Sequence, residues 1–302
     1  MTFEMVLKLK QEVLLEALRK HFKKAKPIKK RGAFLLVKGS APVLLVAHLD
    51  TVHREHVKDI CYSSDKDLIM SPQGIGGDDR CGVWALLEVY KHAKTKPYLL
   101  FTCDEEVGGV GADKFVDYLN NNLDLIDELG SLKFFIEIDR KGKDDAVYYE
   151  CANDDFEKYI TGHGYKTDWG SFSDISVIAP ELGVAAVNLS SGYYNAHTQF
   201  EYIVFSELQD TINKVVDMVN ESVCEDIPHF EYVDAWGKVD SKYNYDDYYE
   251  DVYLYLRGRG YERNFLDELK PDELEELYYD EYERECQEQQ HGGDMYESFY
   301  WV

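Results

Sequence analysis

The 302-residue sequence has little positive charge and no long apolar run. Its 33 Lys and Arg residues are outnumbered by 58 Asp and Glu residues, which gives a formal net charge of -25. Nucleic-acid-binding surfaces need clustered Lys and Arg to neutralise phosphates, so this composition argues against that class. No apolar stretch reaches the roughly 18 residues of a membrane span, and the amphipathic start does not resemble a secretory signal peptide. We expect a cytoplasmic protein that binds neither nucleic acid nor membranes.

Cysteine is also scarce, and no Cys-x-x-Cys pair occurs. The six cysteines are widely spaced, at Cys61, Cys81, Cys103, Cys151, Cys224 and Cys286. This spacing indicates neither a disulfide framework nor a thiolate zinc site. We expect reduced, mostly buried thiols that pack in the core.

Apolar patterns predict strands that alternate with helices. An amphipathic helix is predicted over residues 2–24, and a buried helix begins near Asp79. The predicted strands are Ala33–Lys38, Val43–His48, Tyr98–Cys103, Lys133–Ile138 and Ala185–Leu189. This alternation predicts an α/β domain with a mostly parallel central sheet flanked by helices. Ligands of such sheets bind beyond the carboxyl ends of the strands.

The composition changes near residue 230. Residues 231–302 hold 21 Asp and Glu against 7 Lys and Arg, together with 13 of the 24 tyrosines. We therefore predict two parts, a domain over residues 1–229 and an acidic, Tyr-rich, helical appendage over residues 230–302. The appendage has too many aromatics for a simple disordered tail. We expect it to pack on the domain or on a subunit partner.

Polar residues with metal-binding side chains follow several of these strands. His48 and Asp50 lie two positions apart in HLDTV, at a strand end, so their side chains face the same side. One of the two can bind a metal while the other orients the imidazole. His53 and His56 lack such support, and we expect them to be exposed loop residues.

A glycine-rich segment, Gly74–Gly82, precedes the buried helix. Its glycines permit a tight turn, from which Asp78 projects as the natural bridging carboxylate between two metals. Asp79 would lie at the helix N-terminus, where a carboxylate is favourable for the helix dipole. The segment has acidic residues in place of the Lys and Ser/Thr of a phosphate-binding loop, which disfavours that alternative.

Two adjacent glutamates follow the strand Tyr98–Cys103, in CDEEVGG. One carboxylate can bind a metal while the other takes a proton from a metal-bound water and returns it to the leaving group. We assign Glu105 as the general base and Glu106 as the ligand.

Two later segments complete the set of candidate ligands. Asp139 ends the apolar run FFIEID, where a buried carboxylate needs a partner such as a metal. His197 follows a Gly-Tyr-Tyr turn and would complete a second metal site, with Glu201 in a supporting role. Two histidines, three aspartates and a Glu pair are the inventory of a dinuclear centre.

These motifs resemble the clan of co-catalytic zinc exopeptidases, which includes tripeptidases, aminoacylases, glutamate carboxypeptidases and tetrahedral aminopeptidases. The resemblance covers about Val43 to Glu225 and rests on HLDTV, GDDR, DEEVGG, the Asp after IEI, and the late His. It implies the zinc-exopeptidase fold, which is phosphorylase/hydrolase-like. It also implies one metal on His48, Asp78 and Asp139 and the other on Asp78, Glu106 and His197, with Asp50 orienting His48 and Glu105 as acid/base.

One departure from the clan concerns the lid. Tripeptidase-like members carry a lid and dimerisation domain between the last Asp ligand and the final His. Here only residues 140–196 separate Asp139 from His197, which is too short for a domain of that size. We expect a lidless chain, closer in outline to the single-domain aminopeptidases. The segment Gly170–Pro180 is similar to their Ser-Asp segment, and its Asp174 would cap a helix beside the substrate pocket.

The combined expectation is a metallopeptidase that cleaves amide bonds of short peptides with a hydroxide held between two metals, as an aminopeptidase or dipeptidase. Zinc is the expected metal, although manganese or cobalt also suits the ligands. A deacylase of N-acyl amino acids is the alternative enzyme, and a catalytically idle binding or structural protein is the alternative of another class. Homo-oligomers could form through the appendage. We expect substrate contacts from residues beside the motifs: Arg140, Asp174, Tyr194 and Asn195.

Overall fold

Short apolar runs form the strands of a mixed eight-stranded sheet in this computed structural model. The structure describes residues 1–149, 153–170, 172–233, 256, 259, 261, 263–266 and 277. The strands of this sheet are β1 (Ile28–Lys30), β2 (Phe34–Val37), β3 (Val43–His48), β6 (Tyr98–Thr102), β7 (Phe134–Arg140), β8 (Asp145–Val147), β9 (Lys166–Thr167) and β10 (Ala186–Ser190). Their order in the sheet is β1-β2-β6-β3-β7-β10-β8-β9. The central strands β6, β3, β7 and β10 are parallel. The predicted α/β fold class and five predicted strands are confirmed.

A second, four-stranded antiparallel sheet consists of β4 (Cys61–Tyr62), β5 (Leu68–Met70), β11 (Tyr193–Tyr194) and β12 (Tyr202–Val204). Its strand order is β11-β12-β5-β4. The turn between β11 and β12 carries His197, and β5 leads into the glycine-rich segment. This small sheet therefore brings two distant motifs next to each other.

Helices cover both faces of the large sheet. They are α1 (Phe3–Lys8), α2 (Gln11–His21), α3 (Gly77–His92), α4 (Val110–Asn120), α5 (Leu123–Gly130), α6 (Asp154–Gly162), α7 (Asp174–Leu182) and α8 (Phe205–Glu221), with a 3₁₀ turn at Lys23–Ala25. A further short helix, α9 (Arg263–Leu266), lies later in the chain. Along β3, Leu45 and Ala47 belong to the core cluster that includes α1, α2, α3 and α8. Leu44 and Val46 belong to the cluster that includes α4, α5 and α7. Burial on both faces explains why the central strands are continuously apolar.

The predicted single N-terminal helix over residues 2–24 is wrong. The chain leaves helical geometry at Leu9 and Lys10, which have extended backbones between α1 and α2. The buried guanidinium of Arg80 donates hydrogen bonds to the carbonyls of Val6 and Leu9, at 2.6 and 2.7 Å. This tertiary contact satisfies carbonyls at the end of α1, and it outweighs the helical preference of the local sequence.

The expectation of mostly buried thiols holds for only part of the described chain. Cys81 and Cys103 are buried and free, whereas Cys61 and Cys224 are exposed. Cys61 lies on the outermost strand of the small sheet, and Cys224 lies beyond the end of α8. Both positions lie at the edge of the described elements, in agreement with their exposure.

The chain divides into two units, Met1–Lys238 and Val239–Val302. All elements through α8 belong to the first unit. Most of the predicted acidic appendage lies outside the described residues, and its predicted boundary at residue 229 stays a prediction. Among the helices that the structure describes, none has the length and apolar character needed to cross a membrane.

The first prediction concerns the core between the large sheet and α4. Phe115 is fully buried, and its ring meets that of Phe34 edge-on, with 4.9 Å between centroids. We expect Phe115→Ala to lower the free energy of unfolding by about 3–5 kcal/mol, because it leaves a cavity that the sheet cannot fill. Urea unfolding measures the change. As a control, Val13→Ala at a half-exposed site of α2 should change it by less than about 0.5 kcal/mol; equal effects of both changes would refute this packing.

Candidate metal centre

The structure brings together all five predicted metal ligands in two groups that share one residue. His48, Asp78 and Asp139 each offer one ligand atom, and these atoms lie within 4.8 Å of one another. Asp78, Glu106 and His197 meet the same description. One carboxylate oxygen of Asp78 lies 3.2 Å from His48 Nε2, and its other oxygen lies 3.2 Å from His197 Nε2. Asp78 therefore lies between the two imidazoles, where a bridging carboxylate would have to be.

The fold explains this convergence. His48 is the last residue of β3, Glu106 follows β6, and Asp139 is near the end of β7. These three strands are adjacent and parallel, so their carboxyl ends meet at one edge of the sheet. Asp78 enters from the start of α3, and the peptide bond that joins it to Asp79 is cis. His197 enters from the β11–β12 turn with a positive φ of 62°.

Asp50 connects the first imidazole to the glutamate pair. Its Oδ1 lies 3.3 Å from His48 Nδ1. Its two oxygens also accept hydrogen bonds from the backbone N–H groups of Glu105 and Glu106, each at 3.0 Å. A carboxylate in this position can fix the orientation of the imidazole and of the turn that holds both glutamates.

Asp79 forms structural hydrogen bonds in addition to its predicted interaction with the helix dipole. It is fully buried, and its carboxylate accepts hydrogen bonds from the N–H groups of His48 (3.2 Å) and Gly82 (2.9 Å). Asp78 and Asp79 have non-helical backbones, so the second bond satisfies an N–H group in the first regular turn of α3. Asp79 thereby joins α3 to the end of β3 beside the candidate ligands.

Glu201 supports the glycine-rich segment, and the expectation for His53 is wrong. Glu201 is fully buried and accepts hydrogen bonds from the N–H groups of Gly76 (2.9 Å) and Asp78 (3.0 Å). Its Oε2 lies 2.7 Å from His53 Nε2, and the His53 side chain is only 11% exposed. His53 is covered because it packs against Gly74, where a Cβ atom would lie 2.3 Å from the imidazole ring. His56 is exposed, as expected.

The four expected substrate-contact residues lie in different surroundings. Arg140 donates to Asp168 and to the Trp169 carbonyl, at 2.8 and 3.0 Å. Asp174 is fully buried and accepts a hydrogen bond from Thr102 rather than from an N–H group of α7, so the expected helix cap is wrong. Tyr194 donates to Glu207, and Asn195 is exposed at the start of the His197 turn. Their contact with substrate stays a prediction.

Negative charge is concentrated around the two imidazoles. Nine carboxylates of this region have side chains that are 14% exposed or less: Asp50, Asp78, Asp79, Glu105, Glu106, Glu137, Asp139, Asp174 and Glu201. Burial raises the pKa of Asp139 well above its usual value, and the neighbouring charge of Asp78 raises it further. Hydrogen bonds to Asp78 and Glu106 raise the pKa of His197 to about 11. The cluster is thus short of positive charge.

Divalent cations fit this arrangement. Among the described residues, none forms a hydrogen bond with the buried Glu106 Oε1, and an unpaired buried carboxylate oxygen is costly unless a cation or a proton balances it. Carboxylate oxygens and imidazole nitrogens are ligands that zinc, manganese and cobalt accept. The types of ligand atom and the excess of negative charge therefore both favour divalent cations at this site.

Several neighbouring residues escaped sequence reasoning because they belong to no motif. The Asn188 side chain accepts a hydrogen bond from the Asp139 N–H group at 2.8 Å. Gln11 forms two hydrogen bonds with Asp104, directly before Glu105, at 2.7 and 3.0 Å. Asn188 could have been noticed because it is a polar residue inside an apolar strand, and a buried amide needs a hydrogen-bond partner. Nothing local marks Gln11.

The fold of this chain is similar to the folds of several solved structures. Aminopeptidase PepT from Bacillus cereus is 15% identical, with 74% of this chain and 97% of that chain covered and a TM-score of 0.55. A tripeptidase from Staphylococcus aureus is also 15% identical, with 73% and 96% covered and a TM-score of 0.55. A TET aminopeptidase from a marine-sediment Thaumarchaeota archaeon is 10% identical, with 74% and 96% covered and a TM-score of 0.56. These likenesses concern the fold alone.

The sequence itself gives the family. No curated protein matches the chain. The model of peptidase family M28 matches residues 35–221, which is more than half of the chain and includes every candidate ligand. The chain therefore belongs to peptidase family M28, a family of metal-dependent peptidases.

Proposed function

We propose that this metallopeptidase is a two-metal exopeptidase that acts on short peptides, as an aminopeptidase or dipeptidase. The observation that carries the proposal is the pair of ligand groups that share Asp78. In the proposed assignment, His48, Asp78 and Asp139 hold one metal, and Asp78, Glu106 and His197 hold the other. Zinc is the proposed metal, and manganese or cobalt also suits these ligands. When bound, the two metals would supply a hydroxide nucleophile and polarise the scissile carbonyl.

Glu105 is the proposed general base. Burial raises the pKa of Glu105 to about 8, and the carboxylates of Asp174, Glu106 and Asp78 contribute in the same direction, against the opposing effect of His48. Its Oε2 lies 3.8 Å from His48 Nε2, so the carboxyl group reaches the candidate metal centre. A carboxyl group with a pKa near neutrality can take a proton and return it to a leaving amine.

The segment between Asp139 and His197 supports a site without a separate lid. Its described residues contribute β8, β9 and β10 to the large sheet and α6 and α7 to its faces. Because these residues form strands and helices of the catalytic domain rather than a separate lid, we propose that the centre is open to solvent. His197 is half-exposed, at 52% of its side chain, in agreement with such access.

The metal content is the first test of the proposal. Reconstituted protein should contain close to two divalent ions per chain, as a dinuclear site requires. Asp78→Asn should lose most of both ions, since it weakens the shared ligand. Elemental analysis by mass spectrometry measures the content.

The matched control is Asp210→Asn, which changes an exposed carboxylate on α8 and should leave the metal content unaltered. A folded wild-type protein without bound metal, or an Asp78→Asn variant with a full complement, would contradict the dinuclear assignment.

Glu105→Gln separates proton transfer from metal binding. Loss of a general base costs about two to four orders of magnitude in turnover, so kcat should fall by that amount while both ions remain bound. Glu106→Gln should instead lower the metal content, because it alters a proposed ligand. If Glu105→Gln kept wild-type kcat, the proton-transfer role would have to be abandoned.

A substrate panel distinguishes the two enzyme hypotheses. Aminoacyl anilides and dipeptides should be hydrolysed by the metal-loaded protein, whereas N-acetyl amino acids should not, if the chain is an exopeptidase. The reverse preference would establish the alternative, an N-acyl-amino-acid deacylase. Hydrolysis of neither class would favour the non-catalytic alternative.

A role for the acidic appendage in homo-oligomers stays a prediction. A chain ending at residue 238 retains every proposed ligand and all the elements through α8. It should bind metal as the full chain does, and its assembly size by light scattering should fall if the appendage builds an interface. An unchanged assembly size would show that the appendage builds no such interface.

A further inference from the structure

His53 and Glu201 form a buried pair beside the candidate metal centre, and neither belongs to a ligand group. His53 Nε2 lies 2.7 Å from Glu201 Oε2, and their side chains are 11% and 0% exposed. Both oxygens of Glu201 also accept backbone hydrogen bonds, so His53 Nε2–H is the donor in this contact. We call His48, Asp78 and Asp139 the first ligand group, and Asp78, Glu106 and His197 the second ligand group.

Glu201 joins the turn that carries His197 to the segment that carries the shared ligand. Its Oε2 accepts from the N–H group of Gly76 at 2.9 Å, and its Oε1 accepts from the N–H group of Asp78 at 3.0 Å. Residues 197–200 of the turn are exposed, and the buried Glu201 follows them directly. One buried carboxylate thus connects an exposed turn to the glycine-rich segment.

His53 joins the segment after β3 to the same carboxylate. This segment begins beyond the candidate ligand His48, the last residue of β3. The His53 ring packs against Gly74, where a Cβ atom would lie 2.3 Å from it. Thr51 packs in the same way against Gly76, where a Cβ atom would lie 2.8 Å from Thr51 Cγ2. The glycine-rich segment is therefore held between the segment after β3 and the β11–β12 turn.

The first ligand group has anchors outside this pair. The carboxylate of Asp79 accepts from the N–H group of His48 at 3.2 Å, and Asp50 Oδ1 lies 3.3 Å from His48 Nδ1. The Asn188 side chain accepts from the N–H group of Asp139 at 2.8 Å. We expect the first ligand group to keep its geometry when the pair is broken.

The second ligand group depends on the pair at His197. The His197 side chain is 52% exposed, and its Nε2 lies 3.2 Å from one carboxylate oxygen of each of the other two ligands of the group. Two side chains of its turn reach the segment before α3. Gln199 is exposed and donates to the Pro72 carbonyl at 3.3 Å, whereas Glu201 is buried and makes the contacts described above. Glu201 is therefore the buried anchor of this turn.

We propose that His53 is a positioning residue that acts through Glu201 and raises the affinity of the second ligand group for its metal ion. The pair holds the His197 turn at a fixed separation from Asp78, so the ion meets a site that needs little further ordering. This inference rests on the proposed function, because it takes the second ligand group as a metal site. It assigns His53 no contact with substrate.

The test is a zinc titration of the metal-free, full-length protein in competition with a chromophoric chelator. The wild-type protein should bind two ions, as a dinuclear site requires. Hydrogen-bond partners of metal ligands contribute about 10–100-fold to metal affinity. His53 acts through one intermediate residue, so His53→Ala should weaken binding to the second ligand group by about tenfold, the lower end of that range. Binding to the first ligand group should change by less than about threefold, as for independent sites.

A ligand variant assigns the two binding steps. His197→Ala removes a ligand of the second group alone and should leave one strong step. Adding His53→Ala to this variant should change the remaining affinity by less than about threefold. A tenfold loss that persisted in the double variant would overturn the proposal, because His53 would then act on the first ligand group or on the fold as a whole.

Two further variants separate positioning from a general loss of stability. His53→Gln places an amide N–H group near the position of the imidazole Nε2–H and should restore most of the affinity. His56→Ala removes an exposed histidine three residues later and should change neither step. Equal weakening of both steps in His53→Ala, or a His53→Gln variant that binds zinc as weakly as His53→Ala, would show a merely structural role and reject the proposal.

Hydrolysis at different zinc concentrations gives a second readout. If His53 acts on metal affinity, His53→Ala should lose kcat at limiting zinc and regain wild-type kcat in excess zinc. A kcat that stays reduced when both ions are bound would contradict a role through metal affinity.

Zinc binding and hydrolysis together distinguish failure of this inference from failure of the proposed function. Two bound ions and the expected loss in His53→Ala, without hydrolysis of any aminoacyl anilide or dipeptide, would keep the positioning role and reject the exopeptidase. Hydrolysis of these substrates with both steps unchanged in His53→Ala would keep the exopeptidase and reject the positioning role. A wild-type protein that binds a single ion would reject the second ligand group, and this inference with it.

Discussion

The architecture around the candidate centre depends on the electrostatics of buried carboxylates. Asp78, Glu106 and Asp139 are nearly buried, and in the part of the chain that the structure describes two imidazoles lie within reach of them. Buried carboxylates repel one another and lose hydration, and both effects favour protonation unless cations are present. Two divalent ions would remove that penalty, which makes metal binding and the stability of this region interdependent.

The candidate ligands come from three sources within the fold. Parallel strands bring His48, Glu106 and Asp139 to one sheet edge, the start of α3 supplies Asp78, and the small antiparallel sheet supplies His197. Backbone hydrogen bonds to Asp50, Asp79 and Glu201 connect these sources. Because each of these three carboxylates accepts from the backbone of a different site segment, the geometry of the centre is set by contacts outside the ligands themselves.

Much of this was predictable from local sequence. Apolar runs marked β3, β6 and β7, and polar residues at their ends marked the site, because burial and strand polarity leave a direct trace in the sequence. The break between α1 and α2 was not predictable, since it depends on Arg80, which is distant in the chain. The cover over His53 was not predictable either, since it depends on Gly74 and Glu201.

The most direct test of a shared-carboxylate centre is anomalous X-ray scattering from crystals of the zinc-loaded protein. The account predicts two anomalous peaks about 3.5–4 Å apart, with one oxygen of Asp78 directed at each. His48 and Asp139 should ligate one peak, and Glu106 and His197 the other. A single peak, or two peaks without Asp78 between them, would contradict the central claim.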